Sequence, residues 1–257
     1  MSIIKVGTCG WSIKGGRKRY FETFKIIELQ QTFYKLPRKE TALKWRQEAP
    51  QGFEFELKAW QVITHPHTSP SWRKAGIRVS EEKKDKYGFL RPTEENFKAW
   101  EQTLEIAEIL KAKIIVVQTP PSFGYTPVNY HNVENFFSSI RRNGFLIGWE
   151  PRGTWNNNLS KVKMLVDKLD LIHIVDILRR NSVSKHNVAY FRLHGLGGRE
   201  VNYRYKYTDD DLQRLCEKVK EYQQTKDEIY VLFNNIYMGS DALRFKNMCL
   251  KYGFEVV

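Results

Sequence analysis

The sequence predicts an α/β fold, a single (β/α) barrel of the TIM type in which residues 1–257 form one domain. The length of 257 residues supports this fold, because α/β barrels routinely use about 250 residues as one domain. The pattern also supports it, since short β-branched apolar runs alternate with longer amphipathic stretches, as in a parallel sheet covered by helices. Eight such runs occur, which favours a closed barrel and leaves a doubly wound open sheet as the alternative.

The eight runs are the predicted strands. The third alternates apolar and polar side chains with a period of two, and the fourth is an unbroken β-branched run, so both carry the signature of a strand. In chain order the predicted strands cover residues 3–7, 26–29, 53–58, 114–118, 146–150, 171–176, 188–194 and 229–234.

Amphipathic patterns between the runs predict helices over residues 41–48, 94–110, 132–140 and 209–222, where apolar side chains recur at helical spacing. Residues 65–92 are less regular and mix prolines, Trp72 and a run of charged side chains. A stretch of this length is typical of a functional loop or lid. The sequence therefore predicts an extended loop excursion after the third strand.

The composition describes a soluble protein. Its 41% hydrophobic and 14% aromatic residues suffice for a sizeable core, and no run approaches the roughly 18 apolar residues of a membrane helix. The first residues enter an apolar strand pattern and lack the basic and apolar regions of a secretory signal. We expect a cytoplasmic protein that has no membrane partner. The sequence specifies no oligomeric state.

The cysteine content and the net charge indicate which kinds of site and ligand the sequence favours. Cys9, Cys216 and Cys249 are widely spaced, which favours reduced thiols over a disulfide framework or a thiolate zinc site. The formal net charge of +13 attracts anions and suits nucleic acid or phosphorylated substrates. The alternative is that lysine-rich helix faces serve solubility or thermal stability.

Seven sequence blocks follow one another along the chain: GTCGWS at residues 7–12, ELQQTFYKLP at 28–37, residues 53–65, VQTPPSF at 117–123, WEPR at 149–152, YFRLHG at 190–195 and FNN at 233–235. In these blocks and in their order the chain resembles the YecE-like family, domain-of-unknown-function family 72. The resemblance covers nearly the whole chain and implies a TIM-type barrel of unknown biochemical role. This sequence has Gln30 and Gln31 where the family commonly has Asn-Ser, and Cys9 where serine is frequent.

Polar side chains end most of the predicted strands. In barrel enzymes the carboxyl ends of the strands form the active face, and burying a polar group without a partner costs about 1 to 3 kcal/mol. We therefore expect these side chains to converge on one site at the barrel mouth: Glu28, Lys58, Gln118, Glu150, Asp176, Arg192, His194 and Asn234.

Two pairs stand out because residues i and i+2 of an extended segment face the same side. Glu150 and Arg152 flank Pro151, so Glu150 is a candidate general base, metal ligand or substrate clamp, with a plain salt bridge as the alternative. Arg192 and His194 precede the glycine-rich residues 195–198. An arginine beside such a loop suits a phosphate or carboxylate, although the loop alone also fits an ordinary turn.

Residue types also bear on cofactors and on stacking. Glu28, Glu150, Asp176 and His194 form a carboxylate and imidazole set of the kind that holds zinc or manganese, but no clustered ligand motif occurs and Arg192 would oppose a cation. A divalent metal is thus the less favoured interpretation, and the sequence has no organic cofactor motif. Tyr34 and Trp155 are the aromatic side chains expected near the mouth.

The sequence therefore predicts a hydrolase or lyase that acts by general acid–base chemistry on an anionic, phosphate-bearing or nucleotide-like substrate. Glu150 and His194 would transfer protons while Lys58 or Arg152 stabilises developing negative charge. One alternative is a nucleic-acid-processing or DNA-repair enzyme, and another is a non-catalytic nucleic-acid or metabolite binding protein. The predicted substrate-binding residues are Arg192, Glu28, Tyr34, Gln118, Trp155, Asp176, Gly195 and Asn234.

Overall fold

A computed structural model describes residues 2–198 and 200–257. The described residues form an eight-stranded sheet with the strands β1 (Ile3–Cys9), β2 (Ile26–Leu29), β3 (Glu54–Lys58), β4 (Ile114–Gln118), β5 (Leu146–Glu150), β6 (Ile172–His173), β7 (Val188–Leu193) and β8 (Glu228–Phe233). The strand order is β6-β5-β4-β3-β2-β1-β8-β7. A parallel bridge between Val175 and Phe191 joins the two ends of this order. The predicted TIM-type α/β barrel is therefore confirmed.

Helices occupy most connections between strands. They are α1 (Gly16–Thr23), α2 (Gln31–Tyr34), α3 (Lys39–Glu48), α4 (Pro70–Lys74), α5 (Glu94–Leu110), α6 (Pro127–Ser139), α7 (Leu159–Lys168), α8 (Asp209–Gln223) and α9 (Met238–Lys251). Within the described residues no helix is both long and apolar enough to cross a membrane.

The chain divides into two compact units. Unit 1 consists of Met1–Glu28, Glu48–Phe55 and Ile172–Val257, and unit 2 consists of Leu29–Gln47 and Glu56–Leu171. The single domain over residues 1–257 stays a prediction.

Unit 1 is organised around β1, which pairs in parallel with β2 and β8. The start of β1 also binds the end of the chain, because the Ile4 N–H donates to the Glu255 carbonyl at 3.0 Å and the Val257 N–H donates back to the Ile4 carbonyl at 2.8 Å. At the amino end of the strands, Lys5 is buried and binds Glu54 at 2.5 Å and Glu228 at 2.9 Å. This end of unit 1 is thus a closed ion network.

Unit 2 is built on parallel pairing of β3 with β4 and of β4 with β5. Its core contains the large buried rings of Trp100, Trp149 and Trp155. Helix α5 begins where the Thr93 hydroxyl accepts the N–H of Asn96, which satisfies a donor of the first turn. The helix ends at Lys111, whose backbone is left-handed at φ 51°.

The predicted excursion after β3 is present and is firmly attached. It contains α4 and two 3₁₀ turns, Gln61–Ile63 and Glu81–Lys86. Asn96 of α5 binds its backbone, donating through Nδ2 to the carbonyls of Gly88 at 3.1 Å and Arg91 at 2.9 Å. The excursion therefore packs onto α5 through buried hydrogen bonds.

Candidate active site

The candidate site of unit 2 lies at the carboxyl ends of its three strands. Lys58, Gln118 and Glu150 are the last residues of β3, β4 and β5, and Gln118 is opposite Glu150 in the β4–β5 register. All three side chains are buried. The Lys58 ammonium donates to Gln118 Oε1 at 2.8 Å and lies 3.9 Å from the centre of the Phe33 ring. The structure thus brings these predicted residues together.

Glu150 and Arg152 form a buried ion pair. The Arg152 Nε and Nη2 groups both donate to Glu150 Oε1, at 2.9 and 2.6 Å. The extended backbone around Pro151 puts the two side chains on one side, and charge-assisted hydrogen bonds of this kind are strong. Arg152 therefore fixes the position of the Glu150 carboxylate.

His65 belongs to the same cluster, although it is not among the residues predicted from strand ends. It is buried at the end of the turn Gln61–Ile63, and its Nδ1 lies 2.8 Å from the Thr64 hydroxyl. Burial, with a further contribution from the positive charges of Lys58 and Arg152, lowers the pKa of His65 to about 3. The signal in the sequence was its place at the end of the family block 53–65. Lys58 and Arg152 thus both act electrostatically on His65.

The two predicted stacking residues of unit 2 differ in exposure. The Tyr34 ring is partly exposed and has the Lys74 ammonium 5.3 Å from its centre. Trp155 is completely buried, donates its ring N–H to the Phe123 carbonyl at 2.7 Å, and packs edge-on against Trp149. A buried ring offers no face to a ligand, so Trp155 belongs to the core of unit 2.

In unit 1, Arg192 is held by Glu28. Arg192 donates through Nε to Glu28 Oε2 and through Nη2 to Oε1, both at 2.9 Å, and the Tyr190 hydroxyl donates to Oε2 at the same distance. Glu28 and Arg192 are completely buried. This bidentate pair satisfies both charges internally. The geometry favours a structural role for both residues, and their predicted binding of substrate remains a prediction.

In unit 1, the Asp176 carboxylate holds the backbone of His194. Asp176 accepts the backbone N–H of His194 at 3.1 Å and that of Leu178 at 3.1 Å. Burial raises the pKa of Asp176 to about 6, against the opposing effects of these N–H groups and of Arg179. His194 Nδ1 lies 2.9 Å from the Arg192 carbonyl. Because a carbonyl only accepts, Nδ1 carries the proton and the lone pair of neutral His194 is on Nε2.

Gly195 fixes the start of the loop that follows β7. Its φ is +84°, and its N–H donates to the Tyr207 hydroxyl at 2.7 Å. Arg179, a basic residue just after the sixth predicted strand and outside the predicted site, donates to the Gly195 carbonyl at 2.6 Å. Asn234 is half-buried after β8, and its N–H donates to the Leu193 carbonyl at 2.8 Å. Gly195 and Asn234 therefore lie beside the end of β7.

Across residues 2–198 and 200–257, no group of three or more His, Cys, Asp or Glu side chains is arranged to hold a metal ion. The carboxylates of the candidate metal set have other partners here. Glu28 binds Arg192, Glu150 binds Arg152, and Asp176 binds two backbone N–H groups.

Comparison with known proteins identifies the family. The model of the family described as "Protein of unknown function DUF72" matches residues 5–252. The chain belongs to the DUF72 family. The resemblance to the YecE-like family is thereby confirmed.

DUF72 relatives are similar to this chain in sequence and in fold. The UPF0759 protein YunF of Bacillus subtilis (strain 168) is 26% identical over 258 residues, which cover 89% of this chain and 83% of YunF. A DUF72 family protein of Enterococcus faecalis V583 has the same fold, with a TM-score of 0.73 at 20% identity over 97% of this chain and 98% of that protein.

The fold alone extends beyond the DUF72 family. Endonuclease IV of Thermus thermophilus superposes with a TM-score of 0.51 at 12% identity, covering 98% of this chain and all of that enzyme (100%). At this identity the comparison shows a shared architecture, and function has to be argued from the site.

Proposed function

We propose that this DUF72 protein is a hydrolase or lyase that acts by general acid–base chemistry on an anionic, phosphate-bearing or nucleotide-like substrate. One observation carries the proposal. Lys58 at the end of β3 and Arg152 just after β5 are both buried, and both lie close enough to buried His65 to lower its pKa. Two cations that act on one buried point form a natural subsite for an anion.

Two buried cations lie in this cluster. Lys58 donates to the amide oxygen of Gln118 and Arg152 binds Glu150, and the lowered pKa of His65 keeps its ring neutral at neutral pH. Burial keeps water away from these groups, which strengthens their action on a bound charge. Lys58 and Arg152 would therefore stabilise negative charge that develops on the substrate.

Glu150 is the proposed proton-transfer group of unit 2. Its carboxylate is held in place by Arg152, and a positioned carboxylate next to the reacting group can accept or return a proton. Gln118, opposite Glu150 in the register, would orient the substrate together with Lys58. Tyr34 would add a partly exposed ring to this site.

Unit 1 supports acid–base chemistry independently. His194 carries its lone pair on Nε2, the form that accepts a proton, and the pKa of Asp176 is about 6. Groups that change protonation state near neutral pH are suited to proton transfer. We propose His194 as the second acid–base residue, with Asp176 holding its backbone N–H.

The specific alternative is a nucleic-acid-processing or DNA-repair enzyme. It is favoured by the net charge of +13, which attracts a phosphate backbone, and by the shared fold with a protein named endonuclease IV. A non-catalytic nucleic-acid or metabolite binding protein is the third candidate, since a barrel can lose its chemistry and retain its site.

Turnover and affinity measured on the same variants distinguish these functions. The protein is incubated with labelled single-stranded and double-stranded oligonucleotides and with a panel of phosphorylated metabolites, with and without divalent metal, and products are analysed by gel and by phosphate release. Glu150→Gln should reduce turnover about 100- to 10,000-fold while affinity changes far less. Lys58→Met should reduce both turnover and affinity.

The matched control is Lys98→Met, because Lys98 lies on α5 of the same unit with an exposed side chain. It should leave turnover unchanged. Turnover by Glu150→Gln equal to that of the unmodified protein would contradict the assignment of Glu150. Binding without any product from the unmodified protein would instead establish the non-catalytic alternative.

A further inference from the structure

Unit 1 exposes a cluster of aromatic and basic side chains next to His194. We call it the aromatic–basic surface and define it by Tyr203, Arg204, Lys206, Ile236 and Tyr237. The residues Tyr203, Ile236 and Tyr237 are 44%, 64% and 39% exposed. Large apolar side chains grouped on a surface are often a binding site.

Hydrogen bonds hold the backbone of this surface in place. The Ile236 N–H donates to the Tyr203 carbonyl at 2.8 Å, and Asn235 Nδ2 donates to the Tyr205 carbonyl at 2.8 Å. The loop that follows β7 and the loop that follows β8 are thereby joined. Tyr203 and Tyr237 are thus presented from a fixed backbone, which lowers the entropy lost when a ligand binds.

Tyr203 differs from the two neighbouring tyrosines in having a ring that is exposed to solvent. Residues 203–207 read YRYKY, with three tyrosines separated by two cations. The Tyr205 hydroxyl donates to Asp211 at 2.6 Å, and Tyr207 is buried with its hydroxyl bound to the Gly195 N–H. Two of the three rings therefore serve the fold, while Tyr203 faces solvent with its ring centre 6.0 Å from that of His194.

The charge of the surface is positive. Arg204 and Lys206 are exposed, and Lys206 Nζ lies 5.7 Å from the centre of the Tyr237 ring. Within residues 2–198 and 200–257 neither cation has a carboxylate partner. Of the acids close to them in sequence, Asp209 pairs with Arg244 and Glu200 lies 3.6 Å from Arg180.

We infer that the aromatic–basic surface binds single-stranded nucleic acid. Unpaired bases would stack on Tyr203 and Tyr237, and backbone phosphates would pair with Arg204 and Lys206, the combination used by proteins that hold single strands. A duplex presents no free base face for such stacking. The inference names the substrate class of the proposed function and rests on it for the role of His194, next to which Tyr203 would place a base.

Fluorescence anisotropy with a labelled single strand of about 15 nucleotides, the upper site size of one single-strand-binding module, tests this inference without any turnover. Tyr203→Ala and Tyr237→Ala should each weaken binding about fivefold to a hundredfold, the usual loss for one stacked base. Arg204→Gln and Lys206→Gln should each lower the slope of log Kd against log salt by about 0.7. An unlabelled hairpin duplex and a mononucleotide serve as competitors and should displace the strand poorly.

The matched controls are Tyr252→Ala and Lys220→Gln, since both residues are exposed on unit 1 outside the surface. They should bind as the unmodified protein does. Equal affinity of Tyr203→Ala and Tyr252→Ala, or displacement by duplex as effective as by single strand, would overturn the inference. Because binding is read without product, this failure is distinct from unchanged turnover in Glu150→Gln, which contradicts the proposed function.

Discussion

The pair of Glu28 and Arg192 connects two strands that are not neighbours. Glu28 is on β2 and Arg192 on β7, and the order β2-β1-β8-β7 places two strands between them. Both side chains are completely buried. An ion pair in this position costs desolvation energy when it forms, but losing one partner is far more costly because the other charge stays buried.

Glu28→Gln should therefore lower the free energy of unfolding by about 3 to 5 kcal/mol. Chemical denaturation at neutral pH measures the change. The control is Glu22→Gln, because Glu22 forms an exposed pair with Arg19 and such pairs contribute about 0 to 1 kcal/mol. Equal stability of the two variants would show that the buried ion pair does not stabilise unit 1.

The raised pKa of Asp176 predicts a pH effect on stability. Folding raises this pKa from 3.8 to about 6, so between these values the native state binds more protons than the unfolded state. The contribution of Asp176 to stability is then lost as pH rises from about 4 to about 6. Asp176→Asn should gain on the order of 3 kcal/mol relative to the unmodified protein across this window. A difference between the two proteins that is constant with pH would refute the burial effect.

The lowered pKa of His65 provides a direct probe of the cations in unit 2. Lys58 and Arg152 both contribute to its value of about 3, so Lys58→Met should raise it by removing one positive charge. NMR titration of the His65 ring measures the shift, with the ring of exposed His131 as an internal reference. Lys98→Met should leave His65 unchanged, and an identical response of the two variants would place Lys58 too far away to act.

At the scale of elements, the loop after β7 depends on Gly195. A Cβ at this position would lie 2.1 Å from the Asn202 carbonyl oxygen and 2.7 Å from Tyr205 Cβ. Gly76 is also left-handed, at φ +67°, but a Cβ there would meet nothing within 4 Å. Alanine variants at the two glycines therefore distinguish the cost of backbone strain from the cost of a steric clash.

Gly76→Ala should cost only the strain of a left-handed alanine, about 1 kcal/mol. Gly195→Ala should cost more, because residues 202–205 must move, and it should weaken oligonucleotide binding through the displaced Tyr203. Unfolding curves and anisotropy give the two readouts. If Gly195→Ala retained the affinity and stability of Gly76→Ala, the loop would not be positioned by this glycine.

Short, mainly apolar runs predicted several strands from the sequence. Three of these strands, β2, β4 and β5, have the predicted bounds. The sixth run was predicted over residues 171–176, but only Ile172–His173 forms a ladder. The chain turns at Asp176, whose carbonyl accepts the N–H groups of Arg179 and Arg180. The apolar pattern therefore extends beyond the end of the strand.

The apolar periodicity predicted the ends of one helix, whereas the start of another depends on a capping residue and was predicted too late. Helix α5 covers the predicted residues 94–110. Helix α6 begins at Pro127, before the predicted residue 132, because the Thr126 hydroxyl accepts the Asn129 N–H and proline suits the first helical turn. The apolar pattern alone therefore marks the middle of that helix better than its start.

The candidate site was predictable in its residue types and less so in its pairings. Strand-end position identified Lys58, Gln118 and Glu150, which lie together. Sequence could not show that Arg192 is bound by Glu28, a residue 164 positions away. His65 was not among the predicted site residues, because its burial and the nearby charges of Lys58 and Arg152 that lower its pKa are set by the fold.

At the scale of the whole molecule, the two units differ in how the chain builds them. Unit 2 consists of two segments, of which Glu56–Leu171 is by far the longer, whereas unit 1 collects three segments from both ends and the middle of the chain. Contacts between residues distant in sequence slow folding, because a long loop must close before they form.

The central position of β1 has a consequence for synthesis. This first strand needs β8 and the final residues as partners, since Ile3 pairs with Glu228 and Ile4 with Val256. At roughly 5 to 20 residues per second, the ribosome finishes β8 on the order of 10 to 40 seconds after β1 is made. Nascent chains arrested before β8 should therefore show protease protection in residues 56–171 and none in β1. Strand β1 is thus made before its partners and becomes native only after them, so it stays exposed while the rest of the chain is synthesised.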